Sequence, residues 1–193
     1  GIDVVTGGTG DDVFNNDGNV AHANRTTITD FEDAGDTVGD VIKLATEGAE
    51  GGGAAAGAAP TFLSLDTTLV AADAVYRLDQ ETGVNTATID VVELTDLNFG
   101  DGNLDTDFTT GGTGANLLKL LSTGSGTTAA GIEMSNSQDK IYVIAYDEGN
   151  AYIYHVDGTT ADATQVVGDI IPLIKLTGVG TDGALVQADF LLV

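Results

Sequence analysis

The stretch Gly7-Gly8-Thr9-Gly10-Asp11-Asp12-Val13-Phe14-Asn15 constrains this chain more than any other. It fits the pattern G-G-x-G-x-D-x-U-x, with U a large apolar residue, at every specified position. The residues before it, Gly1-Ile2-Asp3-Val4-Val5-Thr6, fit the last six positions of the same pattern, so two copies stand in tandem. The spacing has a physical reason. Glycines permit positive φ and leave the loop's carbonyl oxygens uncovered, and the aspartate adds a carboxylate, which together suit a hard cation such as calcium. Val13 outward and Phe14 inward then predict a short strand whose apolar side faces a narrow core.

These repeats resemble the calcium-binding nonapeptide family, often called RTX, of haemolysins, serralysin-type proteases and surface-layer proteins of Gram-negative bacteria. The resemblance implies a parallel β-roll in which two nonapeptides make one turn and calcium sits between a loop and its equivalent one turn on. It implies Asp3 and Asp12 as ligands, with carbonyls of Gly1, Gly8 and Gly10 as partners. Asn16-Asp17-Gly18-Asn19 is a poor third loop. Thr27-Ile28-Thr29-Asp30-Phe31-Glu32-Asp33 and Gly39-Asp40-Val41-Ile42-Lys43-Leu44 resemble the strands that close such a roll. Asp30, Asp33, Asp36 and Asp40 bracket the turn between them, which suits a terminal calcium or an ordinary solvated acidic loop. Asp189-Phe190-Leu191-Leu192-Val193 resembles the uncleaved carboxyl-terminal signal read by one-step ABC exporters, with a last core strand as the alternative.

Composition bounds the rest. The 193 residues, 42% of them hydrophobic, can bury one good core or a small roll joined to a larger domain. Two prolines and 27 glycines suit short strands and tight turns, so an all-β protein is expected. The net charge of −24 excludes nucleic acid and an anionic membrane surface as natural partners and favours cations. With no cysteine, disulfides are unavailable, and bound calcium is the alternative constraint for a secreted chain. No apolar run approaches the roughly 20 residues of a spanning helix, so membrane insertion is not expected. Because Gly1 falls in mid-repeat, the chain reads as the carboxyl-terminal region of something longer.

Three segments follow: a calcium-binding roll with closing strands over 1–44, a flexible Gly/Ala-rich loop over 45–60, and a β-rich domain over 61–193. Leu69 to Leu78 fits a strand or a short helix, and Ile89 to Leu94 reads as extended. Asp101, Asn103, Asp105 and Asp107 place oxygen-bearing side chains at alternate positions, as a second cation loop or an acidic turn would; the spacing is not that of an EF-hand. Gly111-Gly112-Thr113-Gly114-Ala115-Asn116-Leu117-Leu118 repeats the nonapeptide with Asn for Asp. Lys140 to Tyr146 and Ala151 to Val156 predict a hairpin across Asp147-Glu148-Gly149-Asn150. Its tyrosines, Tyr142, Tyr146, Tyr152 and Tyr154, suit either sugar stacking or cross-strand pairs. Ile170 to Leu176 and Leu185 to Val193 supply further strands.

Enzyme motifs are missing. His22 and His155 stand alone, without an H-E-x-x-H, and read as surface or turn residues; there is no G-x-S-x-G. The expectation is therefore an all-β, non-enzymatic, secreted protein: a short parallel β-roll followed by a β-sandwich-like domain. Calcium would drive its folding and its self-assembly, through contacts with copies of itself, into a surface layer, sheet or filament. The alternatives are a calcium-dependent folding and export module of a larger enzyme or adhesin, and a module that binds cell-surface polysaccharide.

Overall fold

The structure, a computed structural model, describes residues 2–16, 25–32, 39–45, 57–66, 76–77, 89–95, 103–109, 111–121, 131–134, 140–157, 164–165, 169–180 and 184–193. Its strands are β1 (Ile2–Val5), β2 (Val13–Asn16), β3 (Arg25–Ile28), β4 (Val41–Leu44), β5 (Phe62–Asp66), β6 (Tyr76–Arg77) and β7 (Val91–Thr95). They continue with β8 (Ile132–Glu133), β9 (Lys140–Asp147), β10 (Asn150–Asp157), β11 (Thr164–Gln165), β12 (Ile170–Thr177) and β13 (Phe190–Leu192). A 3-10 helix, Leu104–Phe108, and one short α-helix, α1 (Ala115–Leu121), interrupt them. The protein is all-β in class, and among the described residues no helix is long and apolar enough to cross a membrane.

The first four strands coil. β1 pairs in parallel with β3, and β2 in parallel with β4, but the two pairs lie in different sheets. The chain thus crosses from one sheet to the other and back, one strand per sheet per turn. Two strands from the far end extend the same coil: β12 pairs in parallel with β3 and β13 in parallel with β4. Residues that face inward therefore stack in columns, Val5–Ile28–Leu176 in one sheet and Phe14–Ile42–Phe190 in the other. Phe14, Ile28, Ile42, Leu176 and Phe190 share one buried cluster, and Val13 is exposed, as the alternation predicts. The terminal residues Phe190–Leu192 are thus a core strand.

The larger sheet runs β1-β3-β12-β10-β9-β7-β5, so strands from 1–44 and from 61–193 share one hydrogen-bonded ladder. Its centre is covered on both faces. Along β9, Ile141, Val143 and Ala145 enter one cluster, while Tyr142, Ile144 and Tyr146 enter the other. The hairpin forms as expected, with Glu148 and Gly149 both at positive φ (48° and 79°), the geometry of a two-residue turn that matches strand twist. Between Ile153 and Tyr154 the β10–β12 register shifts, so Ile153 faces Ile174 and Tyr154 faces Pro172. This bulge sits where a proline enters an interior strand.

Two segments depart from their sequence signals. Residues 57–58, expected within the Gly/Ala-rich loop, bond to β13: the Gly57 N–H donates to the Leu192 carbonyl at 2.6 Å, and the Leu192 N–H to the Ala58 carbonyl at 3.0 Å. The nonapeptide-like Gly111 to Leu118 runs into a helix. Leu117, Leu118 and Leu121 share the helical face that is buried in the core. Gly112 and Gly114 serve close packing, since a Cβ on Gly112 would strike the Asp107 carbonyl and one on Gly114 would strike Ile170, while Gly111 takes a positive φ of 77°.

Candidate cation site

The tandem-repeat loop, residues 6–12, joins β1 to β2. Gly8 and Gly10 take φ of 106° and 105°, which L side chains rarely adopt. Gly7 is needed for another reason: a Cβ there would lie 2.6 Å from Asp12 Oδ2 and 3.0 Å from the Phe14 ring tip. The half-buried Asp12 carboxylate thus folds back over its own loop.

The next turn lies against it. The Thr6 and Thr29 hydroxyls are 2.8 Å apart, and the Thr29 N–H donates to the Val5 carbonyl at 3.1 Å. Asp30 accepts the Gly7 N–H at 2.9 Å with one oxygen and the Gly8 N–H at 2.8 Å with the other. Asp40, itself buried, accepts the Asp12 N–H and the Glu32 N–H, both at 2.9 Å. The Val41 N–H closes the stack on the Asp12 carbonyl at 2.9 Å. Because Val5 pairs with Ile28 and Val13 with Val41, Asp30 stands one turn on from Gly7, and Asp40 one turn on from Asp12. Asp12, Asp30 and Asp40 are thus brought to one stack of loops.

The other expected ligands are placed differently. Asp3 is exposed on β1. Gly1, Asp33, Asp36 and Asp101 lie outside the described residues. Asn103 is exposed and precedes the 3-10 helix. Among the described residues no group of three or more acidic or histidine side chains converges as a metal cluster would.

Asp105 and Asp107 each have partners within the protein. The 3-10 helix turns them onto donors. Asp105 accepts the Tyr152 hydroxyl at 2.7 Å and pairs with Lys175. Burial opposes its ionisation, but the bonds from Lys175 and Tyr152 and the Lys175 charge together hold its carboxyl below the usual range. Asp107 caps α1, accepting the N–H groups of Asn116 and Leu117, the Asn116 side-chain amide at 2.8 Å and the Tyr154 hydroxyl at 3.2 Å. For Asp107 burial dominates, and its carboxyl is pushed up in spite of those donors. Burial, then the neighbouring carboxylates, raises both the Tyr152 and the Tyr154 phenols.

The hairpin tyrosines are buried. Tyr152 and Tyr154 pack on Phe108, with ring centres 5.3 and 5.4 Å away, so these rings serve the core and are not displayed for sugar stacking. His155, expected at the surface, is fully buried on β10 beside Tyr142, their ring centres 5.4 Å apart. Among the buried charges that escaped the sequence reading are Arg25 and Glu93. Arg25 donates to the Thr109 carbonyl at 2.9 Å and to that of Gly112, anchoring β3 to the segment before α1. Glu93 accepts the Tyr146 hydroxyl inside the sheet. A lone acid within Val91-Val92-Glu93-Leu94 was the available signal for Glu93.

No family model matches this chain, and no curated protein or solved structure matches it either.

Proposed function

We propose that the chain is a calcium-dependent structural module of the extracellular space, whose coiled strands fold around cations held between successive loops. The observation that carries this reading is the stack of glycine loops on which Asp12, Asp30 and Asp40 lie one turn apart, their side chains spread along the stack and not converging on one point. Each carboxylate oxygen of Asp30 and Asp40 that accepts one N–H retains acceptor capacity, and calcium takes about six to eight oxygens, so loop carbonyls and water complete such a shell. Asp12, Asp30 and Asp40 with the Gly8 and Gly10 carbonyls are the groups this reading assigns to cations along the stack. A site with Kd of about 10⁻⁴ M adds about 1.4 kcal/mol per ion at about 1 mM calcium.

Thermal melting with chelator and with millimolar calcium tests it. Calcium raises the melting temperature, and Asp12→Ala weakens that response more than Asp139→Ala, a carboxylate outside every glycine loop. Equal melting in both conditions removes the assignment.

The net charge of −24 favours a wider role for the same ion. Copies of so acidic a chain repel one another until a divalent cation neutralises the surfaces they share, so calcium also switches assembly into a layer or filament. Light scattering and electron microscopy before and after calcium addition decide this. A protein that stays monomeric with its fold intact is a folding module alone.

A further inference from the structure

We draw no further inference here: the strongest candidate, the cleft of about 380 Å³ between β1 and β2, carries no proposal because nothing in the structure shows what covers it.

Discussion

The Asp40 carboxylate accepts the Asp12 N–H at 2.9 Å, and with its other oxygen the Glu32 N–H at 2.9 Å, so one buried side chain ties the loop of one turn to the loop of the next. Removing it leaves two N–H groups without their acceptor. Asp40→Ala is expected to cost about 3 kcal/mol, and Asp40→Asn, which keeps one acceptor oxygen, about half of that. Denaturant unfolding measures both. A loss under about 0.5 kcal/mol for the alanine variant would show that water replaces the carboxylate at no penalty.

Gly7 and Asp12 are coupled by contact. An alanine at Gly7 pushes its Cβ to 2.6 Å from Asp12 Oδ2, and overpacking of this kind costs about 1–3 kcal/mol. In an Asp12→Ala background the same change should cost about 1 kcal/mol less, while the Phe14 ring tip at 3.0 Å keeps part of the penalty. Strict additivity in the double-mutant cycle would mean that the Asp12 side chain does not rest over Gly7.

The coil was legible because its signal is local. Glycine positions, an aspartate and the alternation of Val13 with Phe14 specify a loop and a strand within one repeat. What pairs with what is not local: nothing in Ile170 to Leu176 or in Phe190 to Leu192 says that these strands extend a coil begun at Ile2. The same limit explains Asp105 and Asp107. Their alternate spacing resembles a cation loop, but their partners, Lys175, Tyr152 and Tyr154, lie far along the chain and become neighbours only through the sheet. In Gly111 to Leu118 the glycine signal competes with a leucine pattern of helical spacing, and burial of Leu117, Leu118 and Leu121 decides it.

Asp105 and Asp107 should oppose each other in acid. The folded pKa of Asp105 lies below 3.8, so its contribution to stability is present above that value and is lost as pH falls below it. The folded pKa of Asp107 lies above 3.8, so its contribution is full below 3.8 and is lost as pH rises through the raised value. Relative to Asp105→Asn, the wild-type protein loses its advantage on acidification below 3.8. Relative to Asp107→Asn, it gains as pH falls towards 3.8. Calorimetric melting of the three proteins across the acid range measures both trends, and parallel curves would remove the opposition.

The alkaline limb turns on Tyr152 and Tyr154. Their phenols are desolvated and set against the Asp105 and Asp107 carboxylates, so their folded pKa values lie above 10, the ordinary tyrosine value. A raised folded pKa gives a contribution that is complete below the unfolded value and is lost as pH climbs from there towards the folded one. The protein is therefore expected to hold its stability up to about pH 10 and to lose it steeply above, with the two tyrosines ionising only as the sheet opens. Tyr154→Phe removes one of these groups, so unfolding above pH 10 becomes less steep. At neutral pH the same variant loses the bond to Asp107 at a cost of about 1–2 kcal/mol. Tyrosinate absorbance and far-ultraviolet circular dichroism, followed together through the alkaline range, give the test. If tyrosinate appears in full before any loss of sheet signal, the phenols ionise inside the folded protein and the linkage fails.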